Sequence, residues 1–432
     1  MNSIRRRRAE ARLVHTRDER YSPHFQGWRM VGLAALSQGL AVGTTFYTYG
    51  VFVKPLAAEF DAPRLVVVLG LTLLMLMQGI VSPYLGRALD RYSVRAIMVL
   101  GLVLCAGGLF GLSLATSLWQ IGLLFGSLIA VGSHMFGPLA TSTLIANWFI
   151  RERGRALGVT ALGASAGGLI FPFAATRLME EVGWRGAAST FAVVLLVFAG
   201  PLWALVVNQP EQIGERPDGL PAPGAGTAST TQIEDTRPEA EPDLFRSSNF
   251  WVITSAIGLA FCSASALIAH LVPYVSDRGY DPRAAALVMS AYAGAGAVGR
   301  LLAGWLADRV DQRIASWGVF GVMAGSWLGL VLAPSYAGLV VASIGLGLGM
   351  GGVMPLWGAL TGACFGRAVF GRAMGLMTPL MLPFNLAGAP IAAYAFDRTG
   401  SYTLVLSAFL ATFLLGAIVI SFLRVPAVEP GT

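Results

Sequence analysis

Charge is scarce in this 432-residue chain: 12% of its residues are Asp, Glu, Lys or Arg, against 55% hydrophobic. Charged residues make up about a quarter of a water-soluble domain, so a soluble globule is excluded and a polytopic membrane protein is expected. Cysteine is rarer still. Cys105, Cys262 and Cys364 each stand alone in an apolar run, which leaves no disulfide framework and no cysteine metal site, only core filler. The basic stretch Arg5 to Arg8 has no apolar segment directly behind it, so neither a cleaved signal peptide nor a twin-arginine export signal is expected. The phosphate-cradling pattern G-x-x-x-x-G-K-S/T is absent, which argues against nucleotide-driven pumping. No Asp or Glu falls inside a membrane-length segment, and no His/Cys cluster or nucleophile–base pair recurs at helical spacing, which argues against an intramembrane enzyme. The tails and central linker are short and low in complexity, so a soluble output domain is not expected, which argues against a sensor. Neither a metal nor a cofactor is expected.

What remains is a succession of apolar runs. Twelve are long enough to cross a hydrocarbon core of about 30 Å, near 28–53, 65–85, 95–116, 118–149, 155–179, 186–207, 250–275, 284–306, 314–333, 336–363, 372–396 and 402–423. The expected fold is therefore all-α, with a six-helix bundle over 28–207 and another over 249–423. A Pro-, Gly- and Glu-rich stretch, 208–248, reads as a flexible linker between them, and 1–27 and 424–432 read as tails. The net charge of +7 lies in short arginine clusters between apolar runs, the pattern of inner membrane loops rather than of a nucleic-acid surface. With both ends on one side, that side holds 22 of the thirty Lys and Arg residues and the other side seven, so both termini are expected in the cytoplasm.

The thirtieth is Arg300, the one charged residue in the interior, rather than at the ends, of a membrane-length segment. Burying a guanidinium in hydrocarbon costs at least ~3 kcal/mol, and such a group usually faces a protein interior or a watery path. Arg300 is therefore the leading candidate for substrate binding. The alternative is that it snorkels to the aqueous edge at Asp308, eight residues and about 12 Å further along the helix.

The two halves repeat each other. Gly86-Arg87-Ala88-Leu89-Asp90-Arg91 after span two matches Gly304-Trp305-Leu306-Ala307-Asp308-Arg309 after span eight at an offset of 218 residues. Gly154-Arg155-Ala156-Leu157-Gly158 matches Gly371-Arg372-Ala373-Met374-Gly375 at an offset of 217. Two bundles with a cleft between them follow, with Gly86, Asp90, Arg91, Gly304, Asp308 and Arg309 as gating turns able to bond neighbouring helix ends.

These paired G-x-x-x-D-R turns and the long central loop resemble the major facilitator superfamily over about 28–423. Gly27-Trp28, the Tyr49-Gly50-Val51-Phe52-Val53-Lys54 end of span one and the Arg300 helix look like the monocarboxylate transporter family and its bacterial oxalate/formate-type relatives. The resemblance implies rocker-switch alternating access and an arginine in span eight that meets a substrate carboxylate, here Arg300. The family's span-one lysine falls at Tyr47, its span-eight aspartate falls at Gly296, and the oxalate/formate exchangers' span-eleven lysine has no counterpart, because Lys54 is the only lysine.

Span one carries Gln38, Thr44, Thr45, Tyr47 and Tyr49, a polar side that a lipid-facing helix does not need. Tyr47 is a candidate donor to an anion, or else a member of an interfacial aromatic belt. His134 and His270 are the histidines within spans, as cavity-lining groups or as structural hydrogen bonds between helices. Asn385 beside Pro383 marks either a bent, cavity-facing helix or a packing site. Gly122 and Gly126, Gly163 and Gly167, and the cluster from Gly345 to Gly352 read as helix-packing surfaces. The expected function is secondary or facilitative transport of a small organic anion, a monocarboxylate, by a monomer in the cell membrane with protons as a candidate coupling ion. An exporter of hydrophobic or zwitterionic solutes, with Arg300 structural, is the alternative.

Overall fold

The computed structural model describes residues 25–219, 243–399 and 403–424. Every regular element among them is helical: α1 Gly27–Glu59, α2 Arg64–Arg91, α3 Val94–Ser113, α4 Leu118–Trp148, α5 Arg153–Leu205, α6 Ser248–Ser276, α7 Pro282–Ala307, α8 Gln312–Leu332, α9 Tyr336–Phe365, α10 Phe370–Thr399 and α11 Thr403–Ile420. Ten of these are long and apolar enough to cross a membrane, which makes this a multi-pass membrane protein. The twelve expected spans are not returned as twelve separate helices. α5 runs for 53 residues, about 80 Å if straight, far beyond a bilayer core. It breaks at Gly183, whose φ of 71° is open to glycine and costly for other residues. Arg155 in its first turn binds beside Asp308, and Trp203 near its end lies under Arg95, so both ends reach the same side and the chain reverses at Gly183.

Caps set several helix starts. Ser93, Asp281, Asp311 and Ser335 each accept a hydrogen bond from an amide of the turn that follows. Interfacial anchors mark two levels: Arg95 over Trp203, Arg155 over Trp28 and Arg309 over Trp305 on the side of the chain ends, Arg185 over Trp184 and Arg278 over Tyr274 on the other.

Close packing rests on the expected small residues. α1 meets α5 where Gly39 faces Gly163 and Gly167, and α7 meets α9 where Gly296 and Gly299 face Gly347, Leu348 and Gly351. A Cβ at Gly163, Gly299 or Gly351 would run into the neighbouring helix's carbonyl, so larger residues would push the helices apart. Gly122 and Gly126 differ, since they face only the Leu73 side chain at ordinary contact distance.

The start of the central linker is docked rather than loose. Asn208 Oδ1 accepts from the Arg95 amide at 2.8 Å, Trp148 Nε1 donates to the Val207 carbonyl at 2.9 Å, and Glu211 pairs with Arg367 at 2.5 Å. Asp218 is buried and accepts the Ile150, Arg151 and Glu152 amides ahead of α5. Capping chemistry wins over loop composition here. Most of the remaining expected linker, 220–242, lies outside the described residues.

Candidate functional site

The repeated turns clasp the two sets of helices, and they do so crosswise. Asp90, at the end of α2, accepts from the Gly371 and Arg372 amides that open α10, at 2.8 and 2.7 Å. Asp308, at the end of α7, accepts from the Gly154 and Arg155 amides that open α5, at 2.6 and 2.7 Å. Each carboxylate thus sits on the unsatisfied amides and positive dipole end of a helix in the opposite set. The glycines make the approach possible: a Cβ at Gly371 would stand 2.6 Å from Asp90 Oδ1, and one at Gly154 would stand 2.5 Å from the Gly304 carbonyl. Gly86 and Gly304 press on Gly371 and Gly154 in turn. Arg309 lies over the Trp305 ring at 4.3 Å, and Arg91 is exposed at the end of α2. Burial pushes the Asp308 carboxyl up to about 6; the Arg155 and Gly154 amides pull it down, and the negative Glu152 and Asp218 push it further up.

From these turns the contact continues inward through Ser82 with Gly375, Leu157 with Gly358, Gly158 with the Arg300 carbonyl and Gly79 with Leu382. All of these approaches lie between the turns and the middle of the helices. Beyond them is a cavity of about 670 Å³ lined by residues of α1, α2, α4, α5, α6, α9 and α10. Its walls are mostly apolar, with five methionines, Met75, Met350, Met354, Met374 and Met381, together with Phe261 and Trp357. No charged side chain lines it among the described residues.

Three of the five expected site residues, Tyr47, His134 and Asn385, line this cavity. Tyr47 is 43% exposed and sits at the end of a π-helical turn, Gly43–Tyr47, which interrupts the α-helical register of α1. The Thr44 and Thr45 hydroxyls of that turn do not join it, since they are buried and donate to the Leu40 and Ala41 carbonyls of their own helix. Tyr49 is also buried, with its hydroxyl on the Val67 carbonyl. Arg300 is not among the lining residues. Its guanidinium interacts electrostatically with Tyr47, which does line the cavity, and with Tyr292 on its own helix. No ion pair to Arg300 is formed among the described residues, and a Cβ at Gly296 would meet only the Gly347 carbonyl, at 3.5 Å. His270 is drawn elsewhere. Its Nε2 lies 3.0 Å from the Ala389 carbonyl and joins α6 to α10, away from the cavity lining.

The structure adds three residues that the sequence reading passed over. Arg153 is only 6% exposed, donates to the Phe149 and Ala146 carbonyls, lies 6.0 Å from the Phe370 ring and fills the space beside Gly362. By the 217-residue repeat Phe370 is its counterpart, so the two equivalent positions meet across the clasp. Tyr292, 8% exposed, shares the Arg300 field, and Gln78 Nε2 binds Ser133 Oγ at 3.1 Å on the cavity wall. The repeat offset could have singled out Arg153, as the one charge opposite an aromatic residue in otherwise matching segments.

The model of the Major Facilitator Superfamily matches residues 35–382 of this chain. The chain belongs to that superfamily. Among curated relatives, this superfamily member is 29% identical over 392 residues to Monocarboxylate transporter 13 of Bos taurus, covering 89% of this chain and 86% of that protein. It is 28% identical over 309 residues to the Agnestins efflux protein AgnL12 of Paecilomyces divaricatus, covering 71% of this chain and 66% of the relative. Among solved structures it shares the fold of the human organic anion transporter MFSD10, with TM-score 0.67, 16% identity, and 92% and 100% of the two chains covered. It likewise shares the fold of a bacterial homologue of the iron transporter ferroportin in an outward-facing state, with TM-score 0.69, 16% identity, and 91% and 98% covered. The twin clasp and the central cavity thus belong to a transporter fold, and a small-molecule substrate is implied.

Proposed function

We propose that this protein carries an organic anion, a monocarboxylate, across the cell membrane by alternating access, as a secondary or facilitative transporter. The observation that carries this reading is Arg300, a membrane-depth guanidinium with no ion-paired carboxylate among the described residues, in electrostatic reach of the cavity-facing Tyr47. A planar cation without a counter-ion in low dielectric attracts a carboxylate, and Tyr47 offers that carboxylate a phenolic donor. The 29% relatives that are named as monocarboxylate transporters support the same class.

The moving parts are the six-helix bundles 28–207 and 249–423, joined by 208–248. With both termini cytoplasmic, the Asp90 and Asp308 clasps close the cytoplasmic side. α7 joins charge to gate: the Arg300 carbonyl packs on Gly158 in the same α5–α7 seam that ends at Asp308, so opening that seam changes the surroundings of Arg300. We take the protein to act as a monomer in the lipid bilayer, with protons as the candidate coupling ion. A second reading, export of an apolar or zwitterionic solute with Arg300 bracing the bundle, draws on a cavity lining that does not include Arg300 and on the efflux relative. Uptake into proteoliposomes with a panel of labelled monocarboxylates, with and without a pH gradient, separates the two. Saturable uptake that other carboxylates compete for supports the first, and uptake indifferent to carboxylates supports the second.

A further inference from the structure

The cavity is larger and less polar than a short-chain acid requires. A volume of about 670 Å³ lies within the range of about 300–1,000 Å³ found for pockets that enclose drug-sized ligands. Five methionines, Phe261 and Trp357 provide a deformable apolar wall, of the kind that accepts bulky and varied hydrocarbon surfaces. Much of the polarity of that wall is already satisfied internally. The Thr378 hydroxyl donates to the Met374 carbonyl, Ser265 to the Cys262 carbonyl, and the Trp357 indole to the Met377 sulfur.

One group is not satisfied. His134, on α4, is 7% exposed and lines the cavity; its Nε2 is enclosed away from that space without a hydrogen-bond partner among the described residues, so it is the rest of the ring edge that faces the cavity. A polar ring edge left unpaired in an apolar surround costs about 1–3 kcal/mol, and a water or substrate group in the cavity that bonds the exposed edge of His134 offsets that cost. Its neighbours are neutral and polar: Gln38 lines the same wall, and Gln78 and Ser133 are bonded to each other beside it. Among the described residues no charged side chain lines the cavity to recognise a second ion.

Resting on the transport reading above, we propose that the substrate is an organic acid with a bulky apolar body and a second, uncharged hydrogen-bonding group. The carboxylate lies at Tyr47 in the field of Arg300, the body lies against the methionines, and a hydroxyl or carbonyl distal to the acid is read by His134. His134 is then a specificity residue for the distal group, acting independently of Arg300.

The test uses the full-length protein in proteoliposomes with propionate, ω-phenylalkanoates of graded chain length and their para-hydroxyphenyl counterparts. Uptake KM is measured for wild type, His134→Leu, His134→Gln and Arg300→Ala, and thermal melting checks that each variant is folded. The expected result is that the aryl acids are taken up with lower KM than propionate. At the best chain length the hydroxyl lowers KM about tenfold. His134→Leu removes that tenfold preference while keeping uptake of the plain phenylalkanoate, and His134→Gln, which can still hydrogen-bond, keeps part of it. A lower KM for propionate than for every aryl acid, or an unchanged hydroxyl preference in folded His134→Leu, overturns this inference and leaves the carboxylate reading standing. Uptake of every acid at wild-type rate by Arg300→Ala, or no uptake of any acid by wild type, overturns both.

Discussion

Replacing Asp90 by Asn tests the clasp at its most legible point. The Asp90 carboxylate holds the Gly371 and Arg372 amides at 2.8 and 2.7 Å. Hydrogen bonds to charged groups contribute about 1.5–3 kcal/mol each, and the charge itself interacts with the α10 dipole for about 0.5–1 kcal/mol. Asn keeps one acceptor, turns its amide donor toward the second backbone N–H, and loses the charge. Against this, Asn escapes the desolvation penalty of a buried carboxylate, which offsets part of the loss. The net shift expected is about 1–2 kcal/mol away from the clasped state, a factor of about 5–30 in the conformational equilibrium. The assay is labelling of a Met374→Cys probe, which lines the cavity next to the clasp, in a background lacking Cys105, Cys262 and Cys364. A reagent applied from the side of the chain ends should label the Asp90→Asn variant about 5–30 times faster. Asp308→Asn should act in the same direction, because its two bonds are the mirror of these. Unchanged labelling in both variants, with normal folding, would refute the clasp as a gate.

Three further outcomes follow from the same geometry. Gly362→Val should lower thermal stability or favour the unclasped state, because a side chain there occupies the space of the Arg153 guanidinium; melting temperature and the same labelling assay read it out. Asp218→Ala should free the Ile150, Arg151 and Glu152 amides, cost about 2–3 kcal/mol, and make 208–219 markedly more sensitive to protease. Burial holds the Asp308 carboxyl above its exposed value, and protonation, unlike the Asn change, leaves both oxygens facing the Gly154 and Arg155 amides, so lowering pH through about 6 should favour the clasped state and raising it should weaken that state. Asp308→Asn should abolish that component of the pH response in the labelling assay.

Local repetition made much of this legible from the chain alone. The G-x-x-x-D-R turns and the Gly-Arg-Ala segments recur at offsets of 218 and 217, and their recurrence announces a duplicated architecture. What the chain could not disclose is that each turn's aspartate binds the opposite set's Gly-Arg segment, since that pairing spans 154 and 281 residues. Polarity misled where the backbone could absorb it. Thr44 and Thr45 read as a cavity face, yet their hydroxyls return to their own helix. The 208–219 stretch read as flexible from its Pro, Gly and Glu content, while a single buried acceptor, Asp218, ties it to the start of α5. Arg153 was hidden for the reverse reason, as a cation at the edge of a span that reads as a loop charge until Gly362 is brought against it. His270 read equally as a cavity-lining group or as a structural hydrogen bond between helices, and position along the chain does not reveal that Ala389 is its partner.

The central claim is that Arg300 supplies the charge that a substrate carboxylate answers. It is tested most directly by uptake of a labelled monocarboxylate into proteoliposomes containing wild type, Arg300→Lys or Arg300→Ala, each shown to be folded and inserted. The account predicts strongly weakened uptake for Arg300→Lys, which keeps the charge and loses the planar fork, and none for Arg300→Ala. Full carboxylate uptake by Arg300→Ala would contradict it and leave Arg300 as a structural cation.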